Sequence, residues 1–266
     1  MAVVNTNVGA SVAQAALVSN ARDLNNAMTQ LSTGKRINSA GDDAAGLAVS
    51  NRMTSQAQGL GAAIRNANDA ISMVQTAEGA LDEITDMLQR MREISVSAAS
   101  ATLMDGDRDY LDLEYQALAT EIERVADNTQ WNRSNIIDGT TPRVFQIGAN
   151  ASQTVSVTFT NMQSLISGDL QSVANSNTAI GAIDTALGTV NTARATYGAA
   201  INQLTHAADN LTNIKVNTEA SRSRILDTDY AEATSELART QIIQQAGTAM
   251  LAQANQLPQT VLALLQ

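Results

Sequence analysis

Apolar positions recur at helical spacing through most of the 266-residue chain. From Val4 to about Leu31, the residues Val4, Val8, Val12, Leu24, Met28 and Leu31 form a broken helical stripe, interrupted at Ala15 and Ala16. Such a narrow stripe makes a marginal helix that needs a partner to stay folded. From about Asp43 to Ser100, Ala57, Leu60, Ile64, Ala67, Ile71 and Val74 alternate spacings of three and four, and Leu81, Ile84, Leu88, Met91 and Ile94 resume the stripe after Ala77. At 1.5 Å of rise per residue this helix would be about 85 Å long, too long for a compact domain and suited to a coiled coil. A loop with Asp105 and Gly106 leads to a third helix carrying Leu111, Tyr115, Leu118, Ile122, Val125 and Thr129, expected to fold back on the second. The spacing returns at Ile180, Ile183, Leu187, Val190, Tyr197, Leu204, Leu211 and Ile214. A final helix begins after Asp227 and carries Ile243, Met250, Leu257 and Leu264 at intervals of seven, with Ala254 and Val261. Pro258 inside that stripe predicts a kink or a freed carbonyl.

The rhythm breaks between Trp131 and about Gln163, where Gly139, Pro142 and Gly148 punctuate the chain and TVSVTFT (Thr154 to Thr160) alternates as a half-buried strand does. Paired with Arg143 to Ile147, it predicts a β-hairpin, followed by a polar connection near Ser164 to Thr178. A second break lies in LSTGKRINSAGDDAAGLAVSNRM (Leu31 to Met53). Gly34 supplies a helix stop there, with Lys35 and Arg36 placing positive charge at that end. Ser39, Asp42 and Asp43 are suited to cap the next helix. The stretch reads as a joint between two rods. The expected fold is mainly α: a long helical coiled-coil bundle with paired N- and C-terminal helices and a small β-hairpin region.

Composition narrows this picture. Aromatic residues make up 3 % of the chain, so Ala, Leu, Ile, Val and Met must do the packing, in narrow seams rather than a thick core. A net charge of -10, from 16 Lys and Arg against 26 Asp and Glu, leaves no basic surface for nucleic acid. With no cysteine, neither disulfides nor thiolate metal sites are available. The first basic residue is Arg22, so no charged segment precedes an apolar one as in a cleavable signal. No apolar run approaches the roughly 18 residues of a membrane span.

Candidate chemistry is sparse. In DGDRDYLDLE, Asp105, Asp107 and Asp109 resemble the start of a calcium loop, but Tyr110 stands where Gly is needed and Gln116 where a bidentate acid is needed, which favours a capped helix start. His206 is the single histidine, which excludes an HExxH site and suits a solvated helix face. GLGAAI (Gly59 to Ile64) misses the dinucleotide fingerprint by its last glycine and follows no strand, so close helix packing is the better reading. Asn132, Asn150 and Asn210 head N-x-S/T triplets, which carry little weight without a secretory context. No residues support an enzyme, a metal or a cofactor.

The joint LSTGKRINSAGDDAAGLAVSNRM, followed by NANDAISMVQTAEGALDEI, LQRMREISVSA, EIERVADNTQWN and FQIGAN, and closing with LDTDYAEATSELARTQIIQQAGTAMLAQANQLPQTVLALLQ, resembles the bacterial flagellins over nearly the whole chain. Gly41 stands where a lysine is common in that family and Trp131 where Phe is. The resemblance implies a short, two-domain filament subunit: residues 1–40 and 221–266 as an inner terminal-helix domain, 41–220 as a helical bundle with the hairpin, and no large outer domain. It implies self-assembly as a helical homopolymer of the filament, with core contacts from Val4, Val8, Leu24, Met28, Leu31, Ile243, Met250, Leu257, Val261, Leu264 and Leu265. The joint would rest on Gly34, Gly41, Asp42, Asp43 and Gly46.

The same likeness implies type III export to the extracellular filament, with an export chaperone, cap proteins and hook-filament junction proteins as partners. It links Gln89, Arg90, Glu93 and Glu114 to the surface sensed by the host flagellin receptor, beside an ordinary ion-pair role for the same residues. Neither nucleic acid nor membrane insertion is expected. The competing readings are a hook-filament junction protein or another secreted coiled-coil adaptor, and a signalling coiled coil of the chemoreceptor type, which the β excursion and missing membrane spans disfavour.

Overall fold

The computed structural model describes residues 6–139 and 142–263, with side chains through 256. Its elements in chain order are α1 (Val8–Thr33), α2 (Ala44–Ala98), α3 (Asp105–Asn128), β1 (Gln130–Trp131), β2 (Ser134–Asn135), β3 (Arg143–Gln146), β4 (Thr154–Val157), α4 (Val173–Leu226) and α5 (Tyr230–Ala263). The long helices are those the spacing predicts, and α5 continues as helix past Pro258. Two compact units result: Gln56–Val216, and Met1–Ser55 with Asn217–Gln266.

The unit 56–216 has a continuous core. On α2 the fully buried positions are Ala67, Ala70, Val74, Ala77, Leu81, Ile84, Leu88, Met91, Ser95 and Ala98, a strict alternation of three and four that presents a coiled-coil seam. Ala63 and Ala70 lie inside, whereas Ile64 and Ile71 flank the seam half-buried. α4 answers with Ala179, Ile183, Ala186, Val190, Ala193 and Tyr197, and α3 with Tyr115, Ile122 and Ala126. Alternating alanines with larger residues lets the helices interlock without large aromatics. Surface ion pairs tie α2 to its neighbours: Arg92 to Asp184 at 2.8 Å and Arg194 to Asp82 at 2.9 Å.

The α2–α3 turn is closed by a buried arginine. Arg108 is 5 % exposed and donates from Nε to the Ala98 carbonyl (3.0 Å) and from Nη2 to the Ser100 carbonyl (2.9 Å), while pairing with Asp105. It places positive charge at the C-terminal end of α2 and on the turn that follows, where the helix dipole favours a cation. At the start of α3, the Asp107 carboxylate accepts from the Met104 amide.

The predicted hairpin is present as β3 and β4, antiparallel, with Arg143 opposite Val157 and Gln146 opposite Thr154. Val155, Val157 and, beyond the strand, Phe159 are buried while Thr154 and Ser156 are exposed, as the alternation requires. A second, two-residue pairing, β1 with β2, was not legible. Its turn places Asn132 and Arg133 at φ 47° and 65°, the primed geometry that glycine normally marks. The polar connection expected over 164–178 is shorter: Met162 and Leu170 are fully buried, and α4 starts at Val173. Phe159 packs against Tyr197 with ring centroids 5.4 Å apart, and the Tyr197 hydroxyl accepts from the Thr160 amide.

Candidate functional site

The ends of the chain form the candidate site. α1 and α5 run antiparallel, as two contacts far apart in sequence show: Asn7 Nδ2 donates to the Ala254 carbonyl at 2.7 Å, and Asn20 Nδ2 to the Thr240 carbonyl at 2.8 Å. The seam positions are Ala10, Ala13, Leu17, Asn20, Leu24, Ala27 and Leu31 of α1 and Ala233, Leu237, Thr240, Gln244, Gly247, Leu251 and Ala254 of α5, with Ala21, Gln30 and Glu236 half-buried beside them. Both sets keep a strict three-four rhythm, and their small residues bring Cα atoms of the two helices within 8 Å.

This seam differs from the stripe of large apolar residues. Leu24 and Leu31 lie on it, half-buried. Val8, Met28, Ile243 and Met250 do not: they are exposed by 61, 55, 41 and 69 %. Val12, Val18 and Ile242 are also exposed. An apolar groove of about 260 Å³ runs beside the seam between Ala13, Ala16, Leu17, Ile243, Ala246, Gly247 and Met250. The seam alternates leucines with alanine and glycine, and that close approach leaves the large residues lying off it turned outward. Leu257 and Val261 fall on the helical backbone of α5, and Val4, Leu264 and Leu265 lie outside the described residues.

Beside this pair, the chain turns at 34–46. Gly34 closes α1 in the left-handed conformation, φ 69°, with its amide on the Gln30 carbonyl, the expected C-terminal stop. Two segments distant in sequence are then laced by main-chain bonds. Thr228 N donates to Gly34 O (3.1 Å), Arg36 N donates to Leu226 O (2.7 Å), and Lys35 pairs with Asp227. The Arg36 guanidinium adds a bond to Ile225 O at 2.9 Å, placing its charge on the C-terminal end of α4.

The acids of the turn divide the work. Asp42 accepts from the Ser39 and Asn38 amides at 2.8 and 3.0 Å, which hold its pKa below the ordinary value. Asp43 accepts from the Gly46 amide at 2.8 Å and so caps α2. A side chain at Gly46 would press on the Asp43 carboxylate that caps α2 and come within 2.7 Å of Cδ1 of the buried Ile37, so one or both would have to shift. At Gly41 an added carbon would meet only Ser39 Oγ at 3.5 Å, an ordinary contact. Ile37 and Tyr230, whose hydroxyl lies against Gly34, were not singled out from sequence. A single apolar residue in a polar turn carries no periodicity to reveal it.

On the other unit, Arg90 of α2 bonds Glu93 at 2.6 Å and Glu114 of α3 at 2.8 Å, and all three are exposed. The bond to Glu114, then that to Glu93, raises the arginine's pKa. Gln89 is exposed beside them on α2. His206 is exposed on α4. Among the described residues no group of three or more His, Cys, Asp or Glu side chains could hold a metal ion, and no helix is long and apolar enough to cross a membrane.

These features define a helical structural protein whose paired ends leave an apolar face uncovered. Comparison with known proteins gives it a family. Residues 4–141 match the bacterial flagellin N-terminal helical region and residues 180–265 the bacterial flagellin C-terminal helical region. A flagellin of Halalkalibacterium halodurans is 44 % identical over 271 residues, covering 99 % of this chain and 100 % of the relative. Flagellin A of Vibrio cholerae is 34 % identical over 375 aligned positions, covering 99 % of each; the alignment exceeds this chain's 266 residues, so the relative carries insertions absent here. The crystal structure of Bacillus cereus flagellin superposes with a TM-score of 0.52 at 32 % identity, covering 55 % of this chain and 88 % of that one. The chain belongs to the bacterial flagellin family, as a short member and a structural subunit of the flagellar filament.

Proposed function

We propose that the outward-facing apolar side chains of α1 and α5 are the contacts through which copies of this chain polymerise. The supporting observation is the exposure of Val8, Met28, Ile243 and Met250 on helices that already pair along a separate seam. Burying one such side chain contributes about 1.5–3 kcal/mol, so several per subunit drive association once a neighbour presents matching helices. Leu24 and Leu31 then act indirectly, by holding α1 on α5. Leu257, Val261, Leu264, Leu265 and Val4 are assigned to the same contacts on the family resemblance. Contacts of this head-to-tail kind do not close on themselves and generate a helical polymer.

In this reading residues 1–40 and 221–266 form the inner layer of the filament and 41–220 the surrounding layer, with Gly34, Gly41, Asp42, Asp43 and Gly46 as the joint. Export through the flagellar type III route to the extracellular filament, with an export chaperone, cap and hook-filament junction proteins as partners, belongs to the same reading. So does the absence of catalysis. Gln89, Arg90, Glu93 and Glu114 form the surface offered to a host flagellin receptor. Seeded growth tests the core of it. Short filament seeds are incubated with the full chain or with a chain lacking Leu251 to Gln266. The full chain elongates the seeds and the truncated one does not; failure of the full chain, or equal growth of both, overturns the assignment.

A further inference from the structure

The chain has no cysteine, so no thiol competes for a two-electron oxidant and its nine methionines are the side chains that peroxide reaches first. Which of them react then follows exposure. Among the described residues three methionines are exposed: Met28 of α1 by 55 %, Met250 of α5 by 69 % and Met104, at the α2–α3 turn, by 79 %. Met91 and Met162 are completely buried in the core of the 56–216 unit, and Met53, Met73 and Met87 are half-buried.

Two of the three exposed thioethers stand on the terminal helix pair. Met250 lines the apolar groove beside Leu17 and Ile243, and Met28 borders a shallow hollow with Asn25 and Ser32 on α1. Neither lies on the α1–α5 seam, so an oxygen added to either sulfur leaves that pairing in place. Oxidation turns a flexible apolar side chain into a polar sulfoxide. In the free chain water solvates the new S–O group. In an apolar contact the same group must be desolvated with no donor to meet it, and the penalty recurs with every subunit added.

We propose that Met28 and Met250 are oxidation sites through which peroxide sets the assembly competence of the free chain: their sulfoxides leave the fold intact and slow polymerisation, and incorporation into a filament shields both sulfurs. This rests on the reading that α1 and α5 turn these side chains towards neighbouring subunits. In the step, the thioether sulfur attacks one oxygen of hydrogen peroxide, and the O–O bond breaks as the S–O bond forms. The proton of the transferred hydroxyl passes to the departing oxygen, so the sulfur loses two electrons and water leaves. A dithiol-driven methionine sulfoxide reductase reverses it, the sulfoxide oxygen leaving as water while the dithiol becomes a disulfide.

The full chain, free and in seeded filaments, is treated with hydrogen peroxide, and the sulfoxides are mapped by peptide mass spectrometry. In the free chain Met28, Met104 and Met250 oxidise about tenfold or more faster than Met91 and Met162, and in filaments Met28 and Met250 slow by a similar factor. The oxidised free chain keeps its helicity by circular dichroism but elongates seeds about tenfold or more slowly, and the sulfoxide reductase restores elongation. Met28→Leu with Met250→Leu, a volume-conserving pair, elongates seeds like the parent and continues to do so after peroxide. Met104→Leu loses elongation after peroxide as the parent does. With filament protection intact, this inference alone is overturned if sulfoxides at both positions leave elongation unchanged, if the double variant is inhibited by peroxide as the parent is, or if oxidation melts the helices, which would make the fold rather than the contact its target. An untreated chain that fails to elongate seeds, or filaments in which both sulfurs react as fast as in the free chain, overturns the assembly reading itself and this inference with it.

Discussion

Asp42 holds two main-chain amides with one carboxylate oxygen, and that bond lowers its pKa from the ordinary 3.8. A carboxyl with a lowered folded-state pKa contributes stability that is present above its unfolded value and is lost as pH falls through the lowered one. Exchange at Asn38 and Ser39, taken as the ratio to the unprotected-peptide rate at each pH, is therefore expected to stay slow at neutral pH and to accelerate as pH drops below about 4. Asp42→Ala should make it fast throughout. Two tyrosines give a second contrast. The Tyr115 hydroxyl is buried with no protein hydrogen-bond partner among the described residues, whereas the Tyr197 hydroxyl accepts from Thr160 N. Burial raises the pKa of both phenols. Removing an unpartnered buried hydroxyl costs little, and removing a bonded one leaves an amide unsatisfied. Tyr115→Phe should leave the thermal melt of the 56–216 unit unchanged or higher, and Tyr197→Phe should lower its stability by about 1 kcal/mol.

Elements in this chain are bounded by side chains that reach across turns. Arg108 ties the last carbonyls of α2 to the first turn of α3 while almost fully buried. Arg108→Ala is expected to cost about 2–3 kcal/mol, as loss of the charge-assisted bonds to the Ala98 and Ser100 carbonyls, read as a lower denaturation midpoint of that unit. At the α1–α2 turn, Gly46→Val should accelerate hydrogen exchange across 37–47 by displacing Ile37. Gly41→Ala, which meets no close neighbour, should leave it within about threefold of the parent, the scale of a small surface effect. The helices themselves were legible because their periodicity runs through many turns. The β1–β2 turn was not, since Asn132 and Arg133 adopt a conformation that Asn tolerates and Arg does not announce. Which apolar residues face inward was only partly legible: the seams use alanine where the eye follows isoleucine and methionine.

At the level of the whole molecule the two compact units differ in kind. The 56–216 unit buries Leu81, Ile84, Leu88, Met91, Ile122, Ile183 and two tyrosines completely, and can hold itself together. The terminal helices share one narrow seam, in which leucines meet alanine and glycine, and expose other large apolar residues, so their stability depends on what covers them. Limited trypsin digestion of the free chain should cut first at Arg22, Arg36, Arg224 and Arg239 and last at buried Arg108, as mass spectrometry of the early fragments would show. Met250→Glu, at a position 69 % exposed, should leave helicity unchanged yet reduce seeded elongation at least tenfold, because a carboxylate would have to be desolvated in the proposed contact.

The sequence by itself determined the helices, the hairpin and the family, because each depends on local spacing or on long stretches of matching residues. It also located the turn at Gly34 and the cap at Asp43, where residue type and backbone demand coincide, whereas Asp42, suited by type to the same cap, instead holds the Asn38 and Ser39 amides inside the turn. Tertiary structure alone decided which face of each terminal helix is inward. Two neighbouring stripes have the same period, and only the close approach of α1 to α5 chooses between them. That choice turns Val8, Met28, Ile243 and Met250 outward and leaves Asn20 and Gln244 bonded inside.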